Sequence, residues 1–399
     1  MVILIQIQIN IVLSILLIVL LVHAYFNINR KNITNRVFIW IMGLTLLTLI
    51  LEIFSVLLDN PSFKQIMILH KLVNIIGFIL APGIIFLGYI CTQEWVNRYQ
   101  QEKIKVNKLL ILPLLINGIA TLMSYSGNGV FRITSENIYE RGSLFFILPC
   151  VCYIYFVYNL FFIYKQRKKF TYSELGMFSL FFIVPAIFTI IQLKYSFYLT
   201  IWNSSAIIVV LVYIFILNDQ AYRDTLSGLQ NRLAYEHYAQ NINYKKINKL
   251  FMIYIDIDDF KTINDQHGHY EGDEAIKIFA SLLVESFPIR QKKLIRLGGD
   301  EFLVLLEDHL LESVVNYIEN LTKNVEVYNN SGKIPYILKF SYGMACYTDA
   351  YESLYQLLEY VDQLMYNHKE SKKFSFKSAE LTTDMVENKI MIDKDNVVL

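Results

Sequence analysis

The sequence is short of cysteine, of net charge and of flexible linker, and each shortage removes a class of protein. Its four cysteines, Cys91, Cys150, Cys152 and Cys346, make neither a disulfide framework nor a metal-ligand spacing. Cys150 and Cys152 lie two apart in an apolar run, so they point to different faces of a helix and read as inert apolar residues. Lysine and arginine number 36 against 35 aspartates and glutamates, so global charge argues for no nucleic-acid partner. The first apolar run lacks a basic n-region and a small-residue cleavage pattern, which makes it a retained span and not a removed signal peptide. No internal repeat and no pair of broken helices supports a transporter. No Gly/Ser-rich linker and no long coiled coil joins the apolar first half to the polar second half.

What is present is uneven. Hydrophobic residues make up 55% of the chain, and the excess lies before about Asn218. Seven apolar stretches fall at residues 2–24, 37–58, 72–90, 109–123, 144–164, 177–193 and 197–217. Most approach the roughly 20 residues that cross a bilayer core, the fourth and sixth being shorter. Pro82, Pro113, Pro149 and Pro185 kink their helices or sit near helix ends. The connections after spans one, three and five carry Arg30, Lys31, Arg36, Arg98, Lys103, Lys105, Lys108, Lys165, Arg167, Lys168 and Lys169. The alternate loops hold only Lys64, Lys71, Arg132, Arg141 and Lys194. The positive-inside rule then places the N-terminus outside and everything after Leu217 in the cytoplasm, giving a multi-pass protein of the cell membrane.

Within this bundle, Glu52 is an ionisable group inside a span, expected either as a hydrated interfacial acid or paired with Lys71. His70, Asn74, Asn203 and the outer loop at residues 125–143 are further candidates for sensing. The layout resembles the seven-span sensor regions that precede bacterial histidine kinases and cyclases. That resemblance implies an extracellular or membrane ligand of unknown identity.

The second half alternates helices and strands, which implies an α/β sandwich with helices packed on one sheet. Residues 250–257 read as a strand, with Met252, Tyr254 and Asp256 on one face and Phe251, Ile253, Ile255 and Ile257 on the other. Helices are expected over residues 273–287, 310–324 and 353–373, with a further strand at 337–346. Between two apolar runs stands Arg296-Leu297-Gly298-Gly299-Asp300-Glu301-Phe302. Gly-Gly there signals a hairpin turn, because glycine takes positive φ without a Cβ clash. Two acids at its tip repel unless a cation sits between them; a solvated acidic turn is the plainer alternative. Asp256, ending a strand in an acid-rich segment, adds hard oxygen of the kind that suits Mg²⁺. Lys261, Lys369 and Lys373 are placed to neutralise phosphates, the last two lying four apart on one helix face. Taken singly, Asp273 reads as a helix N-cap and Asp265 as an Asx turn.

Several blocks carry a resemblance. Asp224-Thr225-Leu226-Ser227-Gly228-Leu229-Gln230-Asn231-Arg232, Asp256 to Asp273, Arg296 to Phe302, Ser341-Tyr342-Gly343 and Asp362 to Lys369 stand in the order seen in GGDEF domains, the diguanylate cyclase family. The resemblance implies a fold like nucleotide cyclase and polymerase palm domains, and a homodimer formed through this domain. The implied reaction condenses two GTP into cyclic di-GMP and two pyrophosphates. Carried over by position, Asp256, Asp300 and the Ile257 carbonyl would ligate Mg²⁺ or Mn²⁺, and Glu301 would serve a second metal or activate the attacking hydroxyl. Asn264 and Asp273 would read guanine. Gly298 and Gly299 would admit the nucleotide, and Lys261, Lys369 and Lys373 would hold phosphates.

Three departures from the family pattern stand out. Lys372 and Lys373 occupy positions usually held by glycine and arginine, which costs a bidentate phosphate grip. Ser227 replaces a threonine. Ile289 and Lys292 stand where an Arg-x-x-Asp product-inhibition site would lie, so no feedback through that site is expected. The expected organisation is a seven-span sensor at residues 1–217, a linker at 218–223, a catalytic domain at 224–373 and a tail at 374–399. The principal alternative is a catalytically weak domain that binds GTP and regulates a partner.

Overall fold

The computed structural model describes residues 2–28, 30, 32–97, 107–127, 129–194, 201–242, 249–289, 292–348 and 351–372. The chain divides into two compact units, Met1–Asp219 and Gln220–Leu399. The first consists of helices α1 (Val2–Asn27), α2 (Ile33–Leu58), α3 (Met67–Val96), α4 (Leu112–Leu122), α5 (Ile147–Lys165), α6 (Tyr172–Lys194) and α7 (Ile201–Ala221). All seven belong to segments long and apolar enough to cross a membrane, the fourth extending over Lys108–Ser126 once its 3₁₀ ends are included. Apolar side chains cover the outside as well as the core: Val12, Trp40 and Phe161 are all more than 60% exposed. That pattern suits helices solvated by lipid. Pro113 falls in the first turn of α4, where its missing N–H costs nothing, whereas Pro82 and Pro185 lie inside α3 and α6.

A short hairpin, β1 (Phe131–Ile133) with β2 (Tyr139–Arg141), follows α4. Its turn residue Asn137 is buried at φ +62°, and its amide donates to Leu58 O at 2.6 Å while its Oδ1 meets His70 Nδ1 at 3.0 Å. The expected Glu52–Lys71 pair does not form. Asn10 Nδ2 donates to Glu52 Oε2 at 2.8 Å, and the Lys71 ammonium donates to Tyr125 O at 3.0 Å and lies over the Tyr125 ring.

The second unit begins with α8 (Arg232–Asn241), capped by Asn231, whose side chain accepts from Ala234 N. Its sheet comprises β3 (Leu250–Ile257), β4 (Lys292–Gly298), β5 (Glu301–Glu307) and β6 (Phe340–Cys346), in order β4-β5-β3-β6 with every pair antiparallel. β3 is buried along its whole length because helices cover both faces. On one side Met252, Tyr254, Leu303 and Leu305 pack with Tyr235 of α8 and with Leu354, Leu357 and Val361 of α12, the helix over residues 354–372. On the other, Phe279 of α10 (His269–Ser286) meets Phe302 and Phe340 with ring centroids 5.1 and 5.6 Å away, and α11 (Leu311–Asn329) packs beside α10.

Between β3 and α10 lies α9 (Phe260–His267), where no helix was expected. Gly268 at φ +87° joins the two helices, so α10 starts at His269 and Asp273 lies inside it rather than at its N-cap. Gly343 lets α12 approach β6: a Cβ there would stand 2.0 Å from Val361 O.

Candidate active site

The sheet register brings the acids together. Asp256, next to last in β3, pairs with Glu301 of β5 on one side and Ser341 of β6 on the other. Alternation along β3 and β5 puts Asp256 and Glu301 on the face covered by α12. Asp300 lies one residue beyond that pairing, and its carbonyl accepts from Ile257 N at 3.2 Å. Gly298 ends β4 and pairs with Glu301, so the β4–β5 turn is made by Gly299, at φ +50°, and Asp300; the space where a Cβ would project from either glycine is open. Glycine at these positions therefore combines turn geometry with room for a ligand to approach the backbone.

Electrostatics at the strand ends is unbalanced. Burial raises the Asp256 carboxyl; the Lys369 ammonium, bonded to Asp256 Oδ1, counteracts this, and the Asp300 charge adds to it. Burial likewise raises Asp300, with Lys369 opposing and Glu301 reinforcing. Lys369 itself is raised: desolvation works against its charge, but Asp256 outweighs that. Two desolvated carboxylates thus share one ammonium. Among the described residues, no three His, Cys, Asp or Glu side chains are grouped closely enough to enclose a metal ion. The donor set does fit a hard cation that keeps several waters and takes substrate oxygens, since Asp256 and Asp300 offer hard anionic oxygen with charge left to neutralise.

The remaining sequence candidates surround this centre at differing distances. Asn264, in α9, lies against the backbone of Gly272, where a Cβ would come within 2.0 Å of its Oδ1. Asp273 is exposed one residue further along α10, and Lys261 is exposed in the first turn of α9. The structure therefore joins Asp256, Ile257, Asp300, Glu301 and Lys369 directly, while Asn264, Asp273 and Lys261 form a separate group on α9 and α10. Lys373 lies outside the described residues.

Supporting residues emerge that motif reading did not assign. Tyr254, two residues before Asp256 on the same face, has its hydroxyl pushed up by burial and then by the adjacent Glu301 carboxylate. Asp258 is buried, accepts from Ser341 Oγ at 2.7 Å and has Lys372 Nζ 3.7 Å from its Oδ2. Lys372 also donates to Phe340 O at 2.6 Å, so it is committed to the sheet edge. The hairpin is braced from outside: Arg296 donates to Gly299 O and to Asp224 Oδ1, both at 2.9 Å. Burial alone would raise Asp224, but hydrogen bonds from Ser227 and the Arg296 charge overcome it and hold the carboxyl below its ordinary value. Gln230 completes the brace, donating to Leu294 O at 3.0 Å and accepting from Arg296 N at 2.8 Å. The alternation of β3 gave the signal for Tyr254; the contacts of Asp258 with Ser341 and Lys372, and of Arg296 with Asp224, join distant segments.

Residues 221–374 match the family profile described as "Diguanylate cyclase, GGDEF domain". This segment is a GGDEF domain. YhcK of Bacillus subtilis is 32% identical over 160 residues, 38% of this chain and 44% of that protein. The cyclic di-GMP phosphodiesterase PdeR of Escherichia coli is 29% identical over 154 residues, 38% of this chain and 23% of that protein. The solved coiled coil and GGDEF domain of DgcB from Caulobacter crescentus, in complex with c-di-GMP, aligns with 22% identity and a TM-score of 0.37 over 41% of this chain and 87% of that one. The chain thus spans less than half the length of the curated relatives it matches. Seven apolar helices followed by a GGDEF domain describe a multi-pass membrane protein.

At the product-inhibition position, Ile289 follows the end of α10 and Lys292 opens β4. Burial pushes the Lys292 ammonium down to about 8, and it donates to Val284 O and Phe287 O at the C-terminal end of α10. A side chain committed to two backbone carbonyls is no substitute for a ligand-binding aspartate.

Proposed function

We propose that the chain is a membrane-bound diguanylate cyclase that condenses two GTP into cyclic di-GMP and two pyrophosphates, under control of its seven-helix unit. The observation that carries this reading is the convergence of Asp256, Asp300 and Glu301 on adjacent strand ends beneath Lys369. A bound Mg²⁺ or Mn²⁺ would be held by Asp256, Asp300 and the Ile257 carbonyl, lowering the pKa of the ribose hydroxyl and neutralising charge on phosphate. Glu301 accepts the proton of the 3′-hydroxyl. The hydroxyl oxygen bonds in line to the α-phosphorus of the partner GTP as the bond to pyrophosphate breaks; a second such step closes the ring. Asn264 and Asp273 hold the guanine edge. A carboxylate accepts from both N1–H and the 2-amino group, a donor pair adenine lacks. Lys261, Lys369 and Lys373 hold phosphates, and Gly298 and Gly299 give the nucleotide access to backbone.

One domain holds one GTP, so the active species is a homodimer of GGDEF domains. We assign residues 1–217 to the sensor, 218–223 to the linker, 224–373 to catalysis and 374–399 to the tail. The N-terminus lies outside, the catalytic domain in the cytoplasm. The matching segment within PdeR, a phosphodiesterase by name, favours a second reading in which the domain binds GTP and regulates without turnover.

The deciding experiment takes the fragment from Asn218 onward, dimerised artificially, with GTP and Mg²⁺. Wild type should form cyclic di-GMP while the Asp300→Ala, Glu301→Ala control does not. Equal output from the two sinks the cyclase reading, and GTP binding retained by wild type then supports the second.

A further inference from the structure

The helical unit encloses a cavity of about 1010 Å³, bounded by α2, α3, α5, α6 and α7 and bordered by β2. That is the upper end of the range for small-molecule sites, about 300–1,000 Å³. Most of the wall is apolar, as at Val73, Ala81, Ile84, Phe182 and Ile208. Into it faces Glu52 of α2, 8% exposed, whose donor among the described residues is the neutral Asn10 amide at 2.8 Å. A carboxylate in apolar surroundings with one neutral donor lacks charge compensation. Lys71 does not supply it, being engaged with Tyr125.

The other polar groups of the wall have the same bias. Gln192 Oε1 is buried without a hydrogen-bond partner among the described residues. Asp59 and Glu140 add two carboxylates against the single guanidinium of Arg141, which lies over the Phe145 ring and donates to Gln192 O at 3.4 Å. The cavity therefore offers acceptors and negative charge within an apolar container.

We propose that this cavity binds an organic amine with an apolar body, its ammonium held by Glu52. The proposal rests on the reading of the helical unit as the enzyme's sensor and names the chemical class that the sensor takes. An anion would face uncompensated carboxylates, and a lipid chain or neutral hydrocarbon would leave Glu52 and Gln192 as they are.

The test uses the full-length protein in lipid nanodiscs, with empty nanodiscs subtracted. 4-Phenylbutylamine is titrated calorimetrically against 4-phenylbutyrate, which matches it in apolar body and reverses its charge. The amine should bind saturably at one site per chain, the acid should not bind, and Glu52→Gln should weaken the amine by about tenfold or more, the scale of a lost charge-assisted hydrogen bond. Gly77→Phe provides an independent arm should Glu52→Gln fail to fold. Gly77 lines the cavity and a Cβ there meets nothing within 4 Å, so a phenyl ring can occupy the ligand's space. This variant should abolish binding. Absence of saturable binding by wild type, equal binding of amine and acid, or wild-type affinity in either folded variant overturns the proposal. Cyclic di-GMP output is measured on the same samples: amine binding that leaves output unchanged upholds the site and removes the sensor's control of the enzyme.

Discussion

Arg296→Met tests whether the brace outside the hairpin sets the position of the acids proposed to be catalytic. The side chains of Arg296 and Asp224 are 12% and 22% exposed, so their ion pair is only partly screened. The substitution removes two charged hydrogen bonds, to Asp224 and to Gly299 O. Each is worth about 1.5–3 kcal/mol when sheltered. Residual exposure and the packing regained by methionine bring the expected loss for the pair to about 2 kcal/mol. For a domain of this size that corresponds to a fall of about 4–8 °C in Tm.

The pH dependence of that loss has a definite sign. Asp224 is held below its unfolded value, about 3.9, so its contribution is complete above that pH and disappears as pH falls through the lower folded value. The gap between wild type and Arg296→Met should therefore be constant from pH 5 to 8, on the order of 2 kcal/mol, and narrow below about pH 4 to the part that the bond to Gly299 O contributes. Because Gly299 O loses its donor beside Asp300, kcat should fall by about tenfold or more, whereas GTP binding changes less. Arg296→Lys should restore part of the stability, since it returns the charge without the two-pronged guanidinium. Differential scanning fluorimetry across pH, with a pyrophosphate-release assay, reads all of this. A variant with unaltered Tm and kcat would refute the idea that this brace positions the hairpin.

Gly272→Ala should raise the KM for GTP several-fold with little change in kcat, because the new Cβ would stand 2.0 Å from Asn264 Oδ1 and must displace that amide; an unchanged KM would remove Asn264 from the proposed guanine site. Lys369→Gln should lower the Mg²⁺ concentration for half-maximal activity, by removing the ammonium from Asp256, while raising the KM for GTP; two shifts of the same sign would break the proposed double role. Cyclic di-GMP added to the enzyme should not inhibit through the Ile289–Lys292 position, and binding in the micromolar range that Lys292→Ala abolishes would overturn that expectation.

The parts legible from sequence were those set by local geometry. Gly298-Gly299 between apolar runs announced the hairpin, and the alternation of residues 250–257 put Asp256 on the face of Met252 and Tyr254, where the structure has it. Four-residue spacing indicated which way Lys369 points, but not that Asp256 would be its partner. That contact joins β3 to α12 across 113 residues. The alternative of Asp273 as a helix N-cap fails because Gly268 links two helices at positive φ and α10 already starts at His269. Span counting placed Glu52 and Lys71 at similar depth, yet could not see that Asn10 of α1 would reach the carboxylate first. The cavity beside Glu52 depends on how five helices meet, which no single periodicity encodes.

The hairpin and its strand partners also explain why so few residues make the site. Side chains alternate along a strand, so a one-residue slip of β3 against β5 would send Asp256 to the α10 side, away from Glu301 and Lys369. Register here is fixed twice, by β5 and by β6, and β3 is buried on both faces, so a slip would expose or misplace Phe251, Ile253 and Ile255 as well. The apolar core thereby holds two desolvated carboxylates close together, an arrangement their own repulsion opposes. Hydrophobic burial sustains that charge imbalance, and Lys369 offsets only part of it. The uncompensated remainder leaves hard anionic oxygen at the strand ends of the kind that suits a hydrated divalent cation.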